Sequence, residues 1–124
     1  MATDLSISPL RGPWMTATLS RRPPSIALCT VTGEVDLMTV PELRAQLRKA
    51  VGEGCRDVVV DVTAITFFAV AGVRALDEAQ HSRGDARDLV LVGASDQLIK
   101  VLDLCQARYP RYAELGEALA HCAN

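Results

Sequence analysis

The side chains of this 124-residue chain that could act as nucleophiles, redox groups or metal ligands are widely spaced. Four cysteines, Cys29, Cys55, Cys105 and Cys122, form no Cys-x-x-Cys pair, and only two histidines accompany them. A zinc ribbon or a dithiol redox motif requires thiols that lie close together in the sequence. The sequence therefore predicts no metal site and no cofactor.

The stretch TFFAVAGVRAL, residues 66–76, lies between a hydrophobic run and a helical pattern. In α/β enzymes this strand-to-helix turn carries the working residues. Here residues 67–71 are Phe, Phe, Ala, Val and Ala, and the next such turn offers only Ala94, Ser95 and Asp96. The sequence contains no Gly-rich phosphate loop and no Gly-x-Ser-x-Gly elbow. It therefore predicts a protein that is not an enzyme and has no catalytic residues.

Charge and length exclude further classes of function. With 13 basic and 15 acidic residues the formal net charge is -2, which gives no electrostatic footprint for nucleic acid or for an anionic membrane. The opening MATDLSISPLRGPW has no apolar core of a signal peptide, and no later stretch has the roughly 18 apolar residues of a membrane span. We therefore expect a cytoplasmic protein that binds neither nucleic acid nor a membrane.

Hydrophobic periodicity predicts where the strands lie. Residues 1–12 are irregular and predict a flexible tail, followed by one domain over 13–124. Residues 14–19 and 25–31 alternate around an Arg-Arg-Pro-Pro turn, which predicts an antiparallel hairpin. Residues 57–62, DVVVDV, and 88–93 are typical of strands that are covered on both faces.

Helical patterns alternate with these strands. One covers residues 40–51, where Thr39 and Glu42 are spaced as a capping box, and a second covers about 70–83. Ser95 is placed to cap a third helix, and Leu115 to Cys122 form a fourth pattern. The alternation predicts an α/β fold, a central, mostly parallel sheet of four to five strands with about four helices, largely on one side. Its predicted core includes Leu47, Val60 and Leu102.

Three segments resemble the STAS domain of bacterial anti-sigma factor antagonists: GEVDLMTVPELRAQL, DVVVDVTAITFFAVAGVRAL and LVLVGASDQLIKVLDLC. The resemblance covers residues 14–122. It is most specific at the Gly33-Glu34-x-Asp36 sequence, at Val60-Asp61-Val62 followed by Phe67, and at Gly72. It implies a single STAS domain that binds an anti-sigma factor, a serine kinase with a histidine-kinase-like ATPase fold, and so frees a sigma factor.

The chain departs from this family where the family is phosphorylated. Members similar to it read Phe-x-Asp-Ser-Ser/Thr-Gly, and the partner kinase phosphorylates the first Ser. Phe67 and Gly72 match, but Ala69 replaces the Asp, Val70 replaces the phosphoacceptor, and Ala71 replaces its hydroxyl neighbour. The resemblance thus implies a divergent antagonist that serine phosphorylation cannot switch off.

The resemblance also places the partner on the strand-end face, which we define by the loop before the first helix, the turn at 68–71 and the second helix. The predicted contacts are Glu34, Asp36, Met38, Phe68, Ala69, Val70, Ala71 and Arg74. A divergent scaffold without a partner, a homodimer, and a STAS-type sensor of a small ligand or of thiol redox state remain alternatives. For the thiols, we expect Cys29 to be buried and Cys55 and Cys122 to be more accessible.

Overall fold

The computed structural model describes residues 15–84 and 87–123. The predicted tail over residues 1–12 and the predicted start of the first strand at Trp14 lie outside these residues. The elements follow one another as β1 (Met15–Arg22), β2 (Ile26–Val35), α1 (Val40–Gly52), β3 (Asp57–Phe68), α2 (Val70–Ser82), β4 (Val90–Val92), α3 (Asp96–Leu104), β5 (Arg111–Tyr112) and α4 (Leu115–Ala123).

The five strands form one sheet in the order β1-β2-β3-β4-β5. β1 and β2 are antiparallel, and the other neighbours are parallel. The sheet and its four helices confirm the predicted α/β fold. β3 continues six residues beyond the predicted end at 62, because β2 pairs along it as far as Val35 opposite Phe68. The short β5 has no counterpart in the sequence prediction.

The two faces of the sheet are covered unequally. Alternate residues of β2 and β3, such as Cys29 and Val60, pack with α1, α2 and α3 in one hydrophobic core. Their neighbours, such as Leu28 and Val59, pack with α4 in a second, smaller core. The helices therefore lie largely on one side, as predicted, and Leu47, Val60 and Leu102 are buried.

The cysteines confirm one expectation and correct two. Cys29 is fully buried, and this burial raises the pKa of its thiol to about 12. The expected accessibility of Cys55 and Cys122 was wrong, because their exposed fractions are 8% and 0%. Cys122 packs on the second core, which a sequence pattern for α4 alone does not reveal. Cys105 is half-buried.

The start of α1 also differs from the prediction. Thr39 makes no side-chain capping bond to the helix that follows it. Instead, the carboxylate of Asp36 accepts hydrogen bonds from the backbone N–H groups of Met38 (2.9 Å) and Thr39 (3.0 Å). The Thr39 hydroxyl accepts from the Asp36 N–H at 2.9 Å. This reciprocal pair is a capping box set three residues earlier than the predicted one, with no contribution from Glu42.

Candidate functional site

The turn between β3 and α2 is a single residue, Ala69, whose extended backbone leads directly into α2. Ala69 donates its N–H to the carbonyl of Val35 at 2.8 Å, which fixes the turn to the end of β2. On the other side, the side-chain amide of Gln97 binds both the N–H and the carbonyl of Phe68, each at 2.9 Å. The turn is therefore held by elements on both sides, although Ala69 offers no side-chain cap.

The two phenylalanines before this turn have opposite environments. Phe68 is 1% exposed and belongs to the core, although it also borders the groove described below, and its contact with a partner stays a prediction. A Cβ atom at Gly72 would lie 2.7 Å from the Phe68 ring, so only glycine allows α2 to pack this closely on it. Phe67 is 44% exposed and takes the surface position instead. Successive residues of a strand point to opposite faces, and this explains the difference.

The capping box at Asp36 presents two large apolar side chains to solvent. Leu37 and Met38, which lie between its two members, are 80% and 86% exposed. Val70, the first residue of α2, is 45% exposed. We call Leu37, Met38, Phe67 and Val70 together the apolar patch. The sequence analysis did not select Leu37 or Phe67 as partner contacts, because only the fold shows that they are exposed.

A groove of about 800 Å³ crosses the strand-end face. Its walls come from the start of α1, residues 67–71, the start of α2, and α3. They include Leu37, Phe67, Val70, Arg74 and Val101. Most of this lining is apolar. The groove is therefore suited to apolar groups of a partner or ligand.

The remaining predicted site residues divide between the groove and its surroundings. Ala69, Ala71 and Arg74 line the groove. Glu34 is exposed and pairs in the sheet with Phe67. Met38 lines a different cleft between α1 and β1, together with Met15 and Thr16. The structure therefore gathers the predicted residues at one end of the sheet but does not bring Met38 into the groove.

The charged groups near the groove are few. Arg44 binds Glu78 at 2.8 Å, and this hydrogen bond holds the pKa of the Glu78 carboxyl below its usual range. Arg74 has no ion-pair partner among the residues that the structure describes. In the same residues, no group of three or more His, Cys, Asp or Glu side chains is arranged to hold a metal ion. Across ranges 15–84 and 87–123, no helix has the length and apolar character needed to span a membrane.

The family model described as "Mlab, STAS domain" matches residues 19–107. This match extends from the end of β1 through α3. The chain belongs to the STAS domain family. No curated protein sequence matches this STAS domain.

Several solved structures share its fold. An anti-sigma factor antagonist from Mycobacterium paratuberculosis has 20% identity and a TM-score of 0.80, with 89% of this chain and 95% of that chain covered. The anti-sigma factor antagonist SpoIIAA in its unphosphorylated form has 16% identity and a TM-score of 0.75, over 86% of this chain and 96% of that one. The phosphorylated form of SpoIIAA, a Bacillus cell fate determinant, has 17% identity and a TM-score of 0.70, over 86% and 99%. At these identities the likeness concerns the fold.

Proposed function

We propose that this STAS domain is an anti-sigma factor antagonist that acts in the cytoplasm by binding a histidine-kinase-like anti-sigma factor and so freeing a sigma factor. The proposal is supported by the family, by the fold that it shares with three solved antagonist structures, and by the surface at the strand end. The role is one of binding, without catalysis.

The observation that carries this proposal is the position of the apolar patch. Among the described residues, five large hydrophobic side chains are exposed, and four of them are the patch residues Leu37, Met38, Phe67 and Val70. The fifth, Leu104, is at the other end of α3 from Gln97. Three of the four, Leu37, Phe67 and Val70, line one groove, and clustered exposed apolar side chains are typical of protein-binding surfaces. A standard interface would bury about 800 Å² on each partner, enough to cover the patch and the adjoining groove.

Val70 supports an antagonist that is not switched by serine phosphorylation. It is the first residue of α2, and its side chain has no hydroxyl to accept a phosphate. A phosphate would add about -1.5 to -2 charges at this helix start. Because no Ser or Thr occurs between Phe67 and His81, nothing in this segment can receive that charge. We therefore expect the domain to remain in its binding form when the partner kinase is active.

The first experiment is a titration of the purified domain against the histidine-kinase-like anti-sigma factors of its host. Val70→Asp places a carboxylate in the centre of the proposed interface, where it must lose its water. We expect affinity to fall by about 1 to 3 kcal/mol, roughly 5- to 150-fold. Leu104→Asp is the control, because it charges an exposed apolar residue outside the patch (82% exposed, against 45% for Val70), and its affinity should equal that of the parent. Equal binding by Val70→Asp and the parent would contradict an interface at this end.

The second experiment restores the family residues. The triple variant Ala69→Asp, Val70→Ser, Ala71→Ser should bind like the parent without ATP and lose affinity when kinase and ATP are added. The parent should stay unmodified under the same conditions, as checked by mass spectrometry. Stoichiometric phosphate on Thr66 of the parent would contradict the proposed insensitivity to phosphorylation.

A small apolar ligand in the groove is a second candidate function, favoured by the groove's volume of about 800 Å³ and its apolar walls. Such a ligand should raise the melting temperature of the parent but not that of Val70→Asp. Sensing through Cys29, Cys55 or Cys122 is disfavoured, because these three thiols are buried, and Cys105 is the one half-buried thiol. The pKa of the Cys29 thiol, raised to about 12, also leaves it without reactive thiolate at neutral pH.

A further inference from the structure

The end of β3 that leads to the turn has a strand on one side only. β4 pairs with β3 over three residues and ends with Val92 opposite Asp61. The chain then turns away at Gly93, whose φ is +74°, and a Cβ atom there would lie 2.1 Å from the Thr63 hydroxyl oxygen. On the β2 side, pairing continues to Phe68. Beyond Asp61, the last part of β3 therefore lacks a strand neighbour on its α3 side.

Gln97 in the first turn of α3 supplies hydrogen bonds where that neighbour is missing. Its Oε1 accepts from the N–H of Phe68 at 2.9 Å, and its Nε2 donates to the carbonyl of the same residue at 2.9 Å. A strand residue would offer this same combination of one donor and one acceptor. The half-buried side-chain amide thus completes the sheet at its last residue before the turn.

The turn has few other polar contacts. Ala69 occupies the N-cap position of α2, where a hydroxyl or carboxylate side chain would bind the first N–H groups of the helix. Its own N–H bonds to Val35 on the β2 side. Among the described residues, Gln97 is the only side chain that hydrogen-bonds to the backbone of residues 67–71. Gln97 is therefore the one described side chain that fixes, from the α3 side, the backbone that carries Phe67 and Val70.

We propose that Gln97 is a positioning residue for the partner, so that α3 sets the shape of the strand-end turn. The inference rests on the proposed function, because the partner is the proposed anti-sigma factor. It adds that affinity depends on the contact between α3 and the backbone of Phe68. Gln97 itself is half-buried and acts through the backbone of Phe68.

The test compares Gln97→Ala with Gln80→Ala. Gln80 is a matched control, because it is also half-buried and its Oε1 accepts a backbone hydrogen bond, from Leu89 at 2.7 Å, outside the strand-end face. Amide hydrogen exchange measured by NMR should be about tenfold faster at Phe68 in Gln97→Ala, beyond any change at core amides. In Gln80→Ala the increase should occur at Leu89 and not at Phe68. Unchanged exchange at Phe68 in Gln97→Ala would overturn the proposal.

The affinity for the anti-sigma factor provides the second readout. Gln97→Ala should weaken binding about tenfold, whereas Gln80→Ala should bind like the parent. Gln97→Glu keeps an acceptor for the Phe68 N–H but sets a carboxylate oxygen against the Phe68 carbonyl oxygen, where the two repel, so its affinity should fall at least as far as that of the alanine variant. Faster exchange at Phe68 with unchanged affinity would also overturn the positioning role.

Absence of binding by the parent would identify a failure of the proposed function itself. If the parent binds no histidine-kinase-like anti-sigma factor, that function is wrong, and Gln97 has no partner to position. The exchange measurement still decides in that case whether Gln97 fixes the turn. The two failures are therefore distinguishable.

Discussion

The two ends of β3 differ in where their side chains find partners. At its first residue, Asp57 has 2% of its side chain exposed, and its carboxylate pairs with Arg56 at 3.0 Å and with Arg87 at 3.1 Å. At its last residues, Phe67 and the adjoining Val70 are close to half exposed. At the first end the charged groups form ion pairs within the domain, whereas at the second end apolar side chains are in contact with water.

The arginines at the Asp57 end bind backbone carbonyls as well. Arg83, at the end of α2, donates to the carbonyls of Arg56 at 2.7 Å and Arg87 at 3.1 Å. Arg56 also donates to the carbonyl of Cys122 in α4. These contacts join α2 and α4 to the start of β3. The comparison teaches that this end contributes to stability, and that a partner is expected at the other end.

The largest difference in the free energy of unfolding is expected between variants of two adjacent residues in β3. Phe68→Ala removes a buried ring beneath Gly72 and should lower the free energy of unfolding by about 3 to 5 kcal/mol. Phe67→Ala truncates an exposed ring and should lower it by less than about 1 kcal/mol while weakening partner binding. Urea unfolding of both variants measures this difference. Similar losses in both variants would mean that the assignment of one ring to the core and one to the surface is wrong.

A smaller effect is expected at the charged end. Asp57→Ala removes two charge-assisted hydrogen bonds and should lower the free energy of unfolding by about 2 kcal/mol. The loss is moderated because Arg56 and Arg87 are partly exposed and regain water. Arg21→Ala is the control, since it removes an exposed pair with Glu53 and should cost less than about 0.5 kcal/mol. Partner affinity of Asp57→Ala below that of the parent would contradict the division of roles between the ends.

A still smaller loss of stability is expected at the capping box of Asp36 and Thr39. Asp36→Ala removes the acceptor for two backbone N–H groups and should cost about 1 kcal/mol in unfolding free energy. It should also weaken partner binding, because Leu37 and Met38 lose the turn that presents them. Glu42→Ala should cost less than about 0.5 kcal/mol, since Glu42 makes no capping bond. The opposite order of costs would favour a box at Thr39 and Glu42.

Thiol labelling tests whether the Asp57 end of β3 stays closed, without a destabilising substitution. Cys55 and Cys122 are buried near Arg56, and Cys29 is buried in the main core. We expect an alkylating reagent under native conditions to modify Cys105 first, giving one label per chain before any other. In urea all four thiols should react, and Cys105→Ser should remove the fast label. Rapid native labelling of Cys55 or Cys122 would show that this end opens readily.

The sequence predicted the order of the main elements because strand and helix periodicities are local. It could not predict that β3 continues to Phe68, since residues 63–68 show no regular alternation and are held by pairing with β2. The same limit applies to Phe67 and Phe68, because the face that each occupies depends on the register of that pairing. Thr39 and Glu42 matched the capping-box pattern, and only the geometry of the loop shows that Asp36 and Thr39 form the box instead.

The sequence predicted where the candidate site lies, but it predicted only some of the residues that form it. The motif resemblance indicated the turn at Ala69 and Val70, whereas the exposed Leu37 carries no chemical signal in the sequence. Gln97 is 29 residues from Phe68, so its contact with the turn appears only when α3 packs beside β3. Long-range contacts of this kind, between a side chain and a distant backbone, leave no local pattern in the sequence.

The backbone of the turn is held by Val35, by Gln97 and by the packing of Gly72 on Phe68, so the exposed side chain of Val70 contributes little to its shape. We therefore expect substitutions at position 70 to be nearly neutral for folding. In evolutionary terms, a lineage with this scaffold is free to gain or lose a modifiable residue there without passing through unstable intermediates. The residue at this position can therefore change while the fold that supports it is kept.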